Sequence, residues 1–563
     1  MQYADVVIRN GKVVTVDENF SIAQAVVIRD GKIITVGSNA QADRYAGPNT
    51  RMVDVQGRTV LPGLVDTHSH PHENGLDHYA SQAVPELRKQ VVEGSNFEDF
   101  LVGIRDIAEK ADPDEWVLVN LQPSQLANAF WLKHTYRDLD KVARDKLILV
   151  DQGVRGLTTS AGLAAFKDRY GFESELMKLK ALLDENGQMA GRFRAEVVRV
   201  FKADVVLENR MGVLQDTYYR ELKDLAKYGV TTWASSLQPI QAFQVFSELD
   251  RQGRMAVRLA YVHAAGFTSF PHAAGFYERL GPIQGHGTDF LWNIGAGPGN
   301  IDGAYPNVCM SLDAPASIKE REQCFARPGE FKNEAMAAII RIGGRIANNH
   351  IAGDLALDHM MDVIEEASRE AGFTPEQIRA KRHATDHCDY NPRPDQIERA
   401  IGLGLYFSCK INTIYRGGAV RFLADYGEQY EHMITPVNSI LKAGGKAVIE
   451  LDHHLTDELN PFYDLQIWIT RNYQGRVIGP EERVDRETAL KMITRWAAEY
   501  VLREDVLGSL ETGKWADLIV LDKDYLSIPE DQIKDIDVLL TLVAGKPAFI
   551  SSSFQTQAGS LGN

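Results

Sequence analysis

Eight short apolar runs separated by helical patterns constrain this chain more than any other feature. They are Val60–Asp66, Gly229–Ala234, Val257–Val262, Phe290–Ile294, Arg345–Asn349, Arg382–Thr385, Leu403–Phe407 and Lys446–Leu451. Strand-length runs that alternate with helices read as βαβ units on a parallel sheet. Eight such units are what a (β/α)8 TIM barrel needs. The fold class expected is therefore α/β, with the barrel spanning residues 59–500. The gap between the first and second runs is too long for one crossover, so residues 72–222 are expected to be an insertion with its own structure. A second irregular stretch, 266–330, is rich in Gly, Pro and aromatics. Loops of that length in a compact domain usually serve function, and both stretches are read as walls of a substrate pocket.

Both ends of the chain are β-rich. Asp5-Val-Val-Ile-Arg-Asn-Gly and Ala25-Val-Val-Ile-Arg-Asp-Gly close β-branched runs with hairpin dipeptides. Ala516-Asp-Leu-Ile-Val-Leu-Asp and Val538-Leu-Leu-Thr-Leu-Val repeat the style near the other end. Neither end has enough strands to cover two faces of a sheet. Residues 1–58 and 501–550 are expected to pair into one small β-domain, with 551–563 a flexible, polar tail.

Composition excludes some function classes. With 61 Lys+Arg against 77 Asp+Glu the net charge is −16, the wrong sign for a general nucleic-acid binder. No apolar stretch approaches the roughly 18 residues of a membrane span. The opening Met1-Gln-Tyr-Ala-Asp lacks a basic segment followed by an apolar one, so no secretory signal is read and a cytoplasmic protein is expected. The four cysteines, Cys309, Cys324, Cys388 and Cys409, form no C-x-x-C pair. They are expected as reduced thiols, buried or lining a pocket.

Chemistry concentrates where the apolar runs end. The first closes in Asp66-Thr-His68-Ser-His70, and residues i and i+2 of a strand share a face. At the C-terminal end of a barrel strand that face is the mouth, where active sites sit. Two imidazoles there could grip a divalent metal, with zinc the default for a nitrogen-rich site and Mn, Fe or Co as alternatives. His72, after Pro71, has left the strand. The fifth run ends at His350, the sixth at His387 and the eighth at Asp452. Any one of these alone reads equally as a polar residue at a loop start. Together they form a pattern that chance at those positions explains poorly. Asp354 and Asp386 are candidates to orient the imidazoles, or else helix caps or loop acids.

The end segment Leu507-Gly-Ser-Leu-Glu-Thr-Gly-Lys-Trp-Ala-Asp-Leu-Ile-Val-Leu-Asp and the opening Val60-Leu-Pro-Gly-Leu-Val-Asp-Thr-His-Ser-His resemble those of the amidohydrolase superfamily. The long insertion, His350-x-x-Gly-Asp354 and Ile469-Thr-Arg are similar to its N-substituted formamide deformylase-like branch. The resemblance covers nearly the whole chain. It implies that His68, His70, His350 and His387 are metal ligands or their neighbours, and that Asp452 is both ligand and proton shuttle. It also implies that the two ends form a composite β-sandwich. Glu196 matches a glutamate of the branch and is either a further ligand or a pocket-wall residue. Arg155, Trp131 and Asp302 are candidates for substrate contact, with a surface ion pair the alternative for Arg155. Two departures stand out. The fourth run, Phe290-Leu-Trp-Asn-Ile-Gly, lacks the lysine that many members use to bridge two metals, and the eighth reads Glu450-Leu-Asp452. One or two ions are therefore both open.

The expected activity is hydrolysis of a C–N bond in a small amide, formamide or cyclic amide-like molecule, through metal-activated water. The alternatives are a lyase, isomerase or hydratase on the same scaffold, and a non-catalytic relative. The expected partners are a small-molecule substrate and a second copy in a dimer, with no nucleic acid and no membrane.

Overall fold

The computed structural model describes residues 3–153, 155–170, 186, 188–207, 210–237, 240–264 and 273–562. Its centre is two four-stranded parallel sheets. One runs in the order Leu291–Gly297, Arg258–Ala264, Val230–Ser236, Leu64–Asp66. The other runs His350–Gly353, Ala384–Tyr390, Tyr406–Cys409, Lys446–Ile449. The sheets meet along two seams. At one, Ala296 bridges Ile346 in parallel. At the other, Thr67 N–H donates to Ile449 O (3.4 Å) and Asp452 N–H donates to His68 O (3.0 Å). Asp66, wholly buried, tightens that second seam, because its Oδ1 accepts from His68 N at 3.1 Å and Leu451 N at 3.0 Å.

The sixth and seventh strands, Ala384–Tyr390 and Tyr406–Cys409, start two to three residues later than expected, and the first and fifth runs depart furthest. Val60–Asp66 divides: Thr59–Pro62 joins the sheet of the chain ends, and Leu64–Asp66 enters the parallel sheet. Gly63 makes the transfer possible, since a Cβ there would lie 2.1 Å from Thr231 Oγ1. The fifth strand begins at His350 rather than Arg345. The buried Arg345 guanidinium donates to Ile294 O (2.8 Å) and Arg382 O (2.7 Å), and backbone bonds such as Ala296 N–H to Arg345 O (2.9 Å) and Ala384 N–H to Ile346 O (2.9 Å) still tie that stretch to both neighbours.

The two chain ends interleave. A six-stranded sheet takes Lys546–Ile550, Val538–Val543 and Leu518–Leu521 from one end, and Thr59–Pro62, Lys12–Val14 and Ile22–Ala23 from the other. A four-stranded sheet, Lys32–Gly37, Ala25–Arg29, Val6–Arg9, Arg51–Asp54, packs against it through one apolar cluster that includes Val26, Val53, Val60 and Leu540. The expected loose tail is instead packed. Phe554, Ala558 and Leu561 join that cluster, carried by the consecutive short turns Ser552–Phe554, Gln555–Ala558 and Gly559–Gly562.

The stretch 72–222 carries its own five-stranded sheet, in the order Arg192–Arg194, Arg155–Thr158, Ile148–Asp151, Val117–Gln122, Lys89–Glu93. A buried ion cluster ties it together: Asp151 Oδ2 lies 2.5 Å from Lys202 Nζ and 3.0 Å from Lys89 Nζ.

The cysteines are not free thiols. Cys309 pairs with Cys324 and Cys388 with Cys409. The latter two lie on adjacent parallel strands with Cα atoms 5.0 Å apart, a proximity that a separation of 21 residues does not reveal. No helix among the described residues is long and apolar enough to cross a membrane.

Candidate metal centre

The C-terminal ends of the parallel strands open into a cavity of about 1480 Å³ lined by His68, His70, His350, His387 and Asp452, among others. His68 and His70 lie just beyond the strand Leu64–Asp66, and their Nε2 atoms are 3.1 Å apart. Asp452 Oδ1 lies 3.8 Å from His68 Nε2 and 3.7 Å from His70 Nε2. One ligand atom from each of the three falls within 4.8 Å of the others, and a second such group is His387, Glu450 and Asp452. The imidazoles follow one another in space, with ring centroids 4.7 Å apart for His70–His68, 5.1 Å for His68–His387 and 4.3 Å for His387–His350.

The backbone is bent to place these groups. Asn348, His387, Cys388 and Asp452 have φ of 56°, 84°, 40° and 46°, a left-handed region that costs side-chain-bearing residues free energy. Neighbouring bonds hold each group in place. Asp386 Oδ2 sits 3.1 Å from His68 Nδ1, and Asn348 Oδ1 is 2.9 Å from the same nitrogen. Glu450 Oε1 holds His387 Nδ1 at 2.5 Å, while its Oε2 accepts from Ser408 Oγ at 2.6 Å. A partner on Nδ1 fixes the ring and leaves Nε2 for the cavity.

The electrostatics differ from group to group. Burial pulls the His68 pKa down, but the carboxylates of Asp386, Glu450 and Asp452 outweigh it and raise it to about 10. Burial pushes Asp452 up, yet Lys410 and the histidines hold it well below the usual carboxylate range. Burial drives His350 down to about 3 and Glu450 well up. His350 Nε2 and His70 Nδ1 are buried without a hydrogen bond. Converging imidazoles and a carboxylate, with burial and Lys410 holding His350 and His387 toward their neutral forms, fit a divalent metal.

The other candidate residues are placed as follows. Arg155 and Trp131 line the cavity from the 72–222 stretch, with the guanidinium 5.0 Å from the indole centroid, and Arg155 Nη1 donates to Asn128 Oδ1 at 3.3 Å. Asp302 is not brought into the cavity. It is wholly buried and accepts from the backbone N–H groups of Ala352 (3.0 Å), Gly353 (2.7 Å) and Cys309 (3.3 Å), so it fixes the strand that begins at His350. Asp354 likewise turns away, toward Ser311 N at 3.0 Å and the Arg393 guanidinium. Glu196 lies in the helix Ala195–Leu207, and its side chain is outside the described residues.

Lys410 escaped the sequence reading. It follows the seventh strand, Tyr406–Cys409, as His68 and His70 follow the first, and it is buried with Nζ 3.0 Å from Asp452 Oδ2 and 3.8 Å from Asp389 Oδ2. The signal was available: a charged residue directly after an apolar run.

Residues 51–549 match the profile of the amidohydrolase family. The chain is 25% identical to an N-substituted formamide deformylase of Arthrobacter pascens, over 97% of this chain and 98% of that protein. It is 30% identical to the protein LONG AFTER FAR-RED 3 of Arabidopsis thaliana, over 97% of this chain and 92% of that one. Among solved structures, an uncharacterized metal-dependent hydrolase from Pyrococcus horikoshii superposes with a TM-score of 0.64 at 18% identity, covering 93% of this chain and 99% of that one.

Proposed function

Because this chain belongs to the amidohydrolase family, we propose that it is a metal-dependent hydrolase of a carbon–nitrogen bond in a small amide-like molecule. The observation that carries this reading is the convergence of His68, His70 and Asp452 ligand atoms within 4.8 Å at the floor of a large cavity. The reading takes the two parallel sheets as one closed (β/α)8 barrel and the interleaved ends as a composite β-sandwich.

His68, His70 and Asp452 would hold the cation, with His350 and His387 as further ligands or neighbours. A bound divalent cation, zinc first among the choices, supplies Lewis acidity and lowers the pKa of water from 15.7 toward about 7. The remaining roles belong to the chain's own groups. Asp452 takes a proton from the attacking water and delivers it to the leaving nitrogen, a two-way task suited to a carboxylate. Lys410, 3.0 Å from Asp452 Oδ2, holds that carboxylate in position. Where it is not itself a ligand, His387, held at Nδ1 by Glu450, offers its Nε2–H to the oxyanion that develops on the carbonyl oxygen. Arg155, stacked on Trp131 at the cavity wall, suits an anionic substituent of the substrate.

The test is a panel of N-formyl, N-acyl and cyclic amides with metal-loaded protein in ¹⁸O water. Hydrolysis places one water oxygen in the product. Turnover without label overturns this reading and leaves lyase or isomerase chemistry. Asp452→Asn should lose activity by roughly 10²–10⁴-fold, and full activity in that variant removes the proton shuttle.

A further inference from the structure

A second group of ligating side chains lies apart from the cluster just described. His78, Glu221 and His454 each offer one ligand atom, and the three atoms lie within 4.8 Å of one another. His78 Nδ1 is 3.3 Å from Glu221 Oε1. The imidazoles of His78 and His454 have centroids 4.0 Å apart and are tilted by 48°. Three segments distant in sequence supply them. His78 is in the helical turn Leu76–Ala80, which continues the helix that starts directly after His70. Glu221 is in the helix Met211–Lys227. His454 is in the loop beyond the strand Lys446–Ile449, shortly after Asp452.

Packing brings these segments together without relying on the cluster itself. A Cβ on Gly75 would lie 2.8 Å from Glu221 Cγ, so the missing side chain lets the two helices close until Glu221 reaches His78. The neighbouring Tyr79 hydroxyl donates to Asp224 on the same helix as Glu221. Lys202 and Lys89 fix Asp77 at 2.7 and 3.2 Å.

We propose that His78, Glu221 and His454 bind a second divalent cation of the zinc type, separate from the one at His68 and His70. Two imidazoles and one carboxylate are an established zinc donor set, which leaves a fourth position for water. Ligand atoms about 2.0–2.1 Å from a tetrahedral ion stand about 3.3 Å from each other, the separation already present between His78 and Glu221. A hydrogen bond between those two accounts for one imidazole, whereas a shared cation accounts for both. The cation clamps the segment after His70 to the loop after Asp452, and so fixes the spacing of two residues of the catalytic cluster. His454 lies on the cavity wall, while His78 and Glu221 are not among its lining residues, which places the clamp behind the rim.

The experiment counts metal. Chelator-treated full-length protein, checked for folding by far-UV circular dichroism, is reloaded with Zn²⁺, freed of excess ion and analysed by elemental mass spectrometry. His454→Ala and the isosteric Glu221→Gln should each hold one equivalent less than the parent. A His68→Ala/His70→Ala variant should retain one equivalent, which is lost when Glu221→Gln is added. Cobalt absorption of that double variant should show a tetrahedral band that Glu221→Gln abolishes. Equal metal content in the parent, His454→Ala and Glu221→Gln overturns the proposal. So does a His68→Ala/His70→Ala variant that binds no ion while remaining folded. Failure of the hydrolase reading would leave these counts untouched.

Discussion

Lys410 Nζ lies 3.0 Å from Asp452 Oδ2, a buried ammonium held against the carboxylate that faces His68 and His70. Without Lys410 the carboxylate loses its positioning partner, and Asp389 loses its nearby cation as well. Lys410→Met is expected to lower kcat by about 10²-fold, the scale of a misplaced catalytic group, with a smaller change in KM. Steady-state kinetics on folded protein measures the split, and an unchanged kcat would show that Asp452 needs no such partner.

Glu450 holds His387 Nδ1 at 2.5 Å. Glu450→Gln preserves shape and the Ser408 contact but weakens the hold on the ring. Partners of this kind are worth about 10–100-fold in activity or metal affinity. A loss in that range is expected, read as kcat/KM against metal content. A variant equal to the parent in both would count against an oriented His387.

Arg155 stacks on Trp131 at the cavity wall. Arg155→Ala should raise KM for amides that carry a carboxylate by about 10-fold while leaving neutral amides nearly unchanged, the signature of lost ground-state binding. Comparing paired charged and neutral substrates decides the matter. Equal effects on both would assign Arg155 to packing.

Asp151 gives a pH prediction away from the metal centre. Burial raises its pKa, but Lys202 and Lys89 outweigh burial and lower it from 3.8 to about 2. A carboxyl with a depressed folded-state pKa adds stability above its unfolded pKa, and that stability is lost as pH falls. The window runs from about pH 4 down to about pH 2, and the amount is about 2 kcal/mol. Asp151→Asn also leaves Lys202 buried without its closest partner, so a loss of about 3–5 kcal/mol at neutral pH is expected. Urea unfolding of both proteins from pH 7 to pH 3 should show the gap narrowing as acid is added.

The Cys388–Cys409 bond closes a loop across 21 residues. Loop closure of that length is worth about 3 kcal/mol in the chain-entropy account. Cys409→Ser should lower stability by roughly that amount, and peptide mapping without reductant should recover the linked pair. Recovery of both peptides unlinked from oxidised protein would contradict the pairing.

Legibility varied by residue. His68-x-His70, His350, His387 and Asp452 could be found because each terminates an apolar run. Lys410 obeys the same rule, but a lysine at a strand end is ordinarily a solvated charge, so its position alone does not mark it. Asp302 sits in a Gly-rich loop that reads as pocket wall, yet three backbone amides claim both its oxygens. The tail reads as loose because its Gly and Ser content masks three apolar residues, Phe554, Ala558 and Leu561, that join the cluster of the chain ends.

The sequence by itself determined the alternation of strands and helices, the β-rich ends and the imidazoles at strand termini. These depend on periodicity and on residue types within a few positions of one another. Only the tertiary structure decided what crosses between segments: the two disulfides, Lys410 against Asp452, Glu450 behind His387, and His78 with Glu221 and His454. Those contacts join residues that are distant in the chain. Which distant groups meet depends on how strands close and helices pack, and close approaches such as those at Gly63 and Gly75 set that geometry to within an ångström. No local pattern carries that information.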